Sequence, residues 1–115
     1  MTQEELNVIL EKYKKWLKNE EGGECADLHG VNLSNADLSC ADLRYANLSC
    51  VNLSNADLSC ADLRYANLSN ADLSCADLRY ANLSCAILSN ADLRNAKNLD
   101  LAYIRLIDLN GAITK

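Results

Sequence analysis

Residues 36–70 read ADLSC ADLRY ANLSC VNLSN ADLSC ADLRY ANLSN, and this stretch decides how the chain folds. Leucine is the third letter of each block of five, and the pattern holds from Leu28 to Leu93 without a miss. The first letter is Ala, or Val at Val31 and Val51; the second is Asp or Asn, with Ile87 the exception. An α-helix has a period of about 3.6 and a flat strand a period of 2, so neither keeps a five-residue apolar repeat on one face. A solenoid does, provided each pentad forms one side of a coil and turns a corner before the next.

Bulk composition fits such a body. The chain has 115 residues, the size of one domain, and half of them are hydrophobic, enough for a core despite few aromatics. Four Gly and no Pro argue against disorder or low-complexity linkers. The net charge of −5 divides as −2 over residues 1–24, −4 over 25–96 and +1 over the rest. A mildly acidic solenoid is a poor phosphate binder, so no direct contact with nucleic acid is expected. No apolar run reaches membrane-spanning length, and residues 1–20 are charged and amphipathic, unlike a secretory leader. The expectation is a cytoplasmic protein with reduced thiols.

Residues 1–24 form the first of two segments, an N-terminal capping helix expected over residues 2–19. Thr2 and Glu5 make a capping box, and Leu6, Ile9, Leu10, Tyr13, Trp16 and Leu17 fall on one stripe at helical spacing. Tyr13 and Trp16 read as core residues, and Gly22 and Gly23 as the stop. A solenoid leaves its first coil open, and an amphipathic helix covers that end.

The second segment, residues 25–115, is the repeat. Ala36-Asp37-Leu38-Ser39-Cys40 and Ala41-Asp42-Leu43-Arg44-Tyr45 resemble the motif of the pentapeptide repeat family: a small residue, Asp or Asn, Leu, a small polar residue or Arg, then a variable one. The resemblance implies an all-β solenoid, a right-handed four-sided β-helix with twenty residues per coil, Leu and the small residue inward and the other three outward. Elementary packing agrees, since a narrow coil that takes Leu at one inward position needs something as small as Ala at the other. Asp and Asn beside corners can bond nearby backbone groups. The pattern slips at Ala96 and resumes as Lys97-Asn98-Leu99, Ala102-Tyr103-Ile104 and Ile107-Asp108-Leu109, with one extra residue expected as a bulge. About four coils result. No second helix follows, so Leu101, Leu106, Ile107 and Ile113 are expected to cluster at an open end and to pair two copies into a homodimer, as the resemblance also implies.

Stacking at twenty residues puts Asp42, Arg44 and Tyr45 beneath Asp62, Arg64 and Tyr65. Asp37, Asp57 and Asp77 form one acidic column, and Asp72 and Asp92 another. The third Asp-Leu-Arg-Tyr copy, with Arg79 and Tyr80, moves to the neighbouring face. Two functions follow. Regularly spaced carboxylates on a narrow rod imitate duplex phosphates, and the family resemblance implies a ligand of DNA gyrase or topoisomerase IV of the fluoroquinolone-resistance type. Alternatively the Asp residues serve the corners, and the Arg and Tyr residues form a general protein-binding face. Either way the protein is not an enzyme: a convex rod has no pocket, and no acid, base and nucleophile cluster.

The six cysteines are spaced in multiples of five and follow the repeat instead of a zinc pattern, so no metal or cofactor is expected. Cys40 and Cys60 alone stack one coil apart and form a candidate redox pair. His29, the single histidine, reads as a solvent-facing residue near the first corner.

Overall fold

The computed structural model describes residues 1–104 and 108–115. Helix α1 spans Gln3–Leu17. Its capping box is formed: the Glu5 N–H donates to Thr2 Oγ1 at 3.1 Å, and the Thr2 N–H donates to Glu5 Oε1 at 3.1 Å. The helix stops earlier than residue 19, because Asn19 takes a left-handed φ of 56° before the glycines are reached. Gly23 has a different task. A Cβ there would stand 2.4 Å from the Trp16 nitrogen, so the chain can fold back over the helix end only as glycine. Leu6 and Tyr13 are buried, and Ile9, Leu10 and Leu17 pack against the core. Trp16 departs from expectation: it is 43% exposed and lies on the outer side of Tyr13, their rings stacked at 5.7 Å.

From Ala26 onward the backbone forms a tube with four columns of parallel bridges. Each bridge joins a residue at the Asp/Asn position to its equivalent twenty residues on, as in Asp37↔Asp57↔Asp77 and Asp42↔Asp62↔Asn82. Each side of the coil pairs at a single rung, so no extended strand develops among the described residues; the ladder runs along the axis. The hydrogen bonds of one pentad explain its sequence. The Asp57 N–H donates to the Ala36 carbonyl at 2.9 Å, the Leu58 N–H to Asp77 at 2.8 Å, and the Cys60 N–H to Arg79 at 2.8 Å. The Ala61 N–H closes the corner on the Leu58 carbonyl at 3.0 Å. One donor remains, the Ser59 N–H, and it goes to Asp57 Oδ1 at 2.9 Å. The Asp or Asn of each pentad therefore supplies the acceptor that the backbone lacks. At Ile87 that acceptor is missing.

Leu28 through Leu93 are at most 3% exposed, and the small residues from Ala46 to Ala91 at most 2%. These form the core, a stack of leucine rungs against methyl-sized neighbours. The fifth residue of each pentad from Asn35 to Asn95 has φ between 58° and 63°, whether it is Asn, Cys or Tyr. The corner needs the left-handed region regardless of the side chain.

At the first coil the Gln3 amide stands in for a ladder rung. Its Nε2 donates to the Asp37 carbonyl at 2.8 Å, and its Oε1 accepts from the Asp37 N–H at 2.9 Å. The Tyr13 hydroxyl donates to the Arg44 carbonyl nearby. Burial pushes the Tyr13 phenol up to about 12, with Cys25 and Asp42 adding to the shift.

The slip lies later than the sequence suggests. Ala96 and Lys97 keep register, since the Lys97 N–H donates to Ala76 and Asp77 bridges Lys97. The extra residue enters beyond them, where Asn98 is left-handed (φ 58°) and Leu99–Leu101 make a 3₁₀ turn. Bridges then span twenty-one residues: Asn82↔Tyr103, Ile87↔Asp108 and Asp92↔Ile113. Ile113 is thus a rung at the Asp position, pointing outward, and is 45% exposed. Leu101 sits in the 3₁₀ turn, 41% exposed. Leu106 and Ile107 lie outside the described residues.

Candidate interaction surface

The Arg residues two positions after Asp are placed by that spacing. Arg44 donates through Nε and Nη2 to both carboxylate oxygens of Asp42 at 2.8 and 2.7 Å, and Arg64 to Asp62 at 2.9 and 2.6 Å. Arg94 forks Asp92 in the same way, at 3.0 and 2.7 Å. Arg44 also reaches Asp62 in the next coil at 3.8 Å. The Arg44 hydrogen bonds hold the Asp42 carboxyl below its ordinary range. Burial pushes Asp62 up, but the Arg64 hydrogen bonds and charge outweigh it, and the net shift is downward. Asp92 is drawn down to about 2 by the Arg94 side chain, then by its backbone N–H. These carboxylates remain ionised, yet each carries its own counter-charge.

The column Asp37, Asp57, Asp77 is different. The described residues place no cation within ion-pair distance of any of the three. Asp37 is stabilised as an anion by the Ser39 hydroxyl at 2.6 Å and the Ser39 N–H, which lower its pKa. Asp77 accepts from the Arg79 N–H at 3.0 Å and from the Asn98 amide at 3.1 Å, and both lower it. Asn98 explains why the third Asp-Leu-Arg-Tyr copy behaves unlike the first two. Its amide takes the Oδ1 that Arg44 and Arg64 use on their own aspartates. The Arg79 guanidinium is left outside any fork among the described residues.

Tyr45 and Tyr65 stack across two coils, rings 5.1 Å apart and 6° from parallel, and stay 63% and 53% exposed. The Cys85 thiol one coil on, then the neighbouring Tyr45, raise the Tyr65 phenol. Tyr80, half exposed, stands on the next corner, above Cys60 and Cys40. His29 is exposed as expected, with Nδ1 2.7 Å from Ser49 Oγ. All six cysteines are free thiols. Two features escaped the sequence reading although signals existed: the Asp92-Arg94 fork repeats the Asp-Leu-Arg spacing, and Tyr103, 60% exposed, joins the apolar C-terminal end. The described residues hold no group of three or more metal-ligating side chains and no helix long and apolar enough to cross a membrane.

The architecture has solved counterparts. The pentapeptide repeat protein Rfr23 of the cyanobacterium Cyanothece 51142 is 34% identical, covers 83% of this chain and 69% of its own, and superposes with a TM-score of 0.62. A pentapeptide repeat protein of the Arabidopsis thaliana thylakoid lumen is 34% identical over 75% of this chain and 63% of its own, with a TM-score of 0.52. The plasmid-mediated fluoroquinolone resistance protein QnrB1 is 20% identical over 81% of this chain and 64% of its own, with a TM-score of 0.40, a likeness too distant to bear on function. No curated protein matches the chain. The family model for pentapeptide repeats matches residues 36–74 and 71–111 in eight copies. Five-residue period, twenty-residue rungs and family match agree, and the chain belongs to the pentapeptide repeat proteins, whose fold is the right-handed quadrilateral β-helix.

Proposed function

We propose that this chain is a non-enzymatic protein-interaction solenoid that docks a protein partner on the corner carrying Tyr45 and Tyr65. The observation behind this reading is the pair of stacked, half-exposed tyrosines at left-handed corners. Asn occupies the same backbone conformation at Asn35, Asn55 and Asn70 and tolerates it better. A tyrosine there accepts strain of about 1 kcal/mol and buries little in return, the signature of a side chain kept for what it meets outside. Arg44 and Arg64 flank the stack, and Tyr and Arg dominate interface hot spots.

A second reading rests on the Asp37–Asp57–Asp77 column, which lacks ion-pair partners among the described residues. Carboxylates at the coil spacing of about 4.8 Å present a line of anionic charge to a protein that grips duplex DNA, such as DNA gyrase or topoisomerase IV. About four coils span only a few base pairs; a homodimer through the C-terminal coil doubles the length. Exposed Leu101, Tyr103, Ile104, Leu109 and Ile113 surround that end and support such pairing, while α1 serves as the cap of the other. Cysteines spaced by the repeat, and not as a disulfide framework, support a reducing, cytoplasmic location.

A gyrase supercoiling assay separates the two readings. Inhibition that is lost in Asp37→Asn, Asp57→Asn, Asp77→Asn together supports the duplex mimic. Inhibition lost instead in Tyr45→Asn, Tyr65→Asn supports docking on the aromatic corner. No inhibition at micromolar protein rejects gyrase as the partner. Sedimentation of Ile113→Asp tests the dimer: an unchanged mass would move the interface elsewhere.

A further inference from the structure

Cys40 and Cys60 occupy the same corner of consecutive coils, with φ of 58° and 59°. The Cys40 N–H donates to the Ser59 carbonyl at 2.9 Å and the Cys60 N–H to the Arg79 carbonyl at 2.8 Å, so the equivalent backbone sends the two Cα–Cβ bonds out of the tube in parallel. Both are exposed free thiols. Burial, then the neighbouring Cys60, then Asp57 and Asp37 push the Cys40 thiol up. The other cysteines have no such partner. The residues one coil from Cys50 are Gly30 and Asn70, those from Cys75 are Asn55 and Asn95, and Cys25 and Cys85 face Tyr45 and Tyr65.

The spacing suits a bridge longer than a disulfide. Coils repeat at about 4.8 Å, and parallel side chains carry that separation out to Cβ. A disulfide wants Cβ atoms about 3.8 Å apart, which would pull two rungs together. Two metal–sulphur bonds, taken at the zinc–thiolate length of about 2.3 Å, span about 4.6 Å end to end, close to the coil spacing of about 4.8 Å. We propose that Cys40 and Cys60 form a two-sulphur site for one soft monovalent cation of the Cu(I) class, held in line between adjacent coils. On binding, each thiol releases its proton to solvent and each sulphur donates an electron pair to the ion; no oxidation or reduction occurs. Two thiolates without a third or fourth ligand favour a soft two-coordinate ion over tetrahedral zinc. Cys40 also lines a cleft of about 430 Å³ between α1 and the first coil, where Asp37 and Glu11 outnumber Lys14, Asp42 being paired with Arg44, and give a cation a mildly acidic approach.

The test is an anaerobic titration of the reduced full chain with Cu(I) against a chromophoric Cu(I) chelator. One ion per chain should withstand the chelator. Cys60→Ser should bind about a hundredfold more weakly, having lost the second, pre-positioned sulphur, while Cys50→Ser should match the unmodified chain. A readout without substitution accompanies it: one equivalent of Cu(I) should shield Cys40 and Cys60 from iodoacetamide and leave the other four thiols to be alkylated. Equal affinity in Cys60→Ser, or shielding spread over all six thiols, would overturn the site.

Discussion

Ile87→Asn should make the protein more stable, although it replaces an apolar residue by a polar one. Ile87 is the single Asx position between Asp27 and Asp92 without an acceptor, so the Ser89 N–H lacks the bond that its equivalents make. One coil below, Asn67 Oδ1 accepts from the Ser69 N–H at 3.0 Å; one coil above, Asp108 Oδ1 accepts from Asn110 at 3.0 Å. The bridges Asn67↔Ile87↔Asp108 fix the backbone between these two examples, so an asparagine at 87 inherits a tested geometry. A net intramolecular hydrogen bond contributes about 0.5–1.5 kcal/mol. Against it stand the strand preference of isoleucine and its partial burial; the side chain is 40% exposed, so roughly 0.5 kcal/mol is lost there. The balance is a gain of about 0–1 kcal/mol, or up to roughly 5 °C in Tm for a chain of this size. Matched urea and thermal melts followed by circular dichroism measure it, with Asn67→Ala as the reverse case, expected to lose about 1 kcal/mol. If Ile87→Asn melts lower than the parent while Asn67→Ala is neutral, the assignment of the pentad's fifth donor to the Asx side chain is wrong.

Leu63→Ala, at a fully buried rung in mid-tube, should cost about 3–5 kcal/mol, because rigid rungs above and below prevent collapse of the cavity; denaturant melts would show it, and a loss under 2 kcal/mol would mean the tube relaxes. Cys50→Asn places a tolerant residue at a left-handed corner (φ 58°) and should raise stability by a few tenths to about 1 kcal/mol in the same melts. Tyr13→Phe removes the hydroxyl that donates to the Arg44 carbonyl and should lower stability by about 1 kcal/mol. Because the Tyr13 phenol is raised to about 12, its contribution is complete below pH ~10 and lost as pH climbs through 12; the parent should lose that increment in alkaline melts and the Phe variant should not. Acid acts with the opposite sign. Asp37, Asp42, Asp62, Asp77 and Asp92 have lowered folded pKa values, so their stabilisation is present above pH ~4 and drains away toward pH 2, the value of Asp92, which an acid titration by circular dichroism would trace.

The leucine rungs, the Asp37–Asp57–Asp77 column and the Tyr45–Tyr65 stack were legible in the residues, because a strict period converts spacing directly into position. What lay hidden depended on conformation or on a neighbour. Nothing about Cys40 or Tyr45 as residue types announces a left-handed corner, since both normally avoid it; the tube imposes it at every fifth position. Arg79 carries the same local motif as Arg44 and yet stands outside a fork, because Asn98, twenty-one residues on, reaches Asp77. The break was legible at Ala96 only as a miscount. Asn98 in the left-handed region lets Lys97 stay in step while the surplus residue is absorbed by the following turn. Trp16 fits the helical stripe by spacing, but the core at that level already holds Tyr13 and Leu17, so the indole is left outside.

Residues 51–70 copy residues 31–50 with one change, Asn70 for Cys50, and each coil bonds only to the coils immediately above and below it. Excising 51–70 would therefore join Cys50 to Ala71 without altering any local geometry, and duplicating the same twenty residues would lengthen the tube by one layer. Overall length in this molecule is a variable that can be dialled by copy number, independent of the chemistry that makes each layer. A partner that measures distance along the rod would notice either edit, whereas one that grips the Tyr45–Tyr65 corner would notice only the excision, because Tyr65 leaves with residues 51–70.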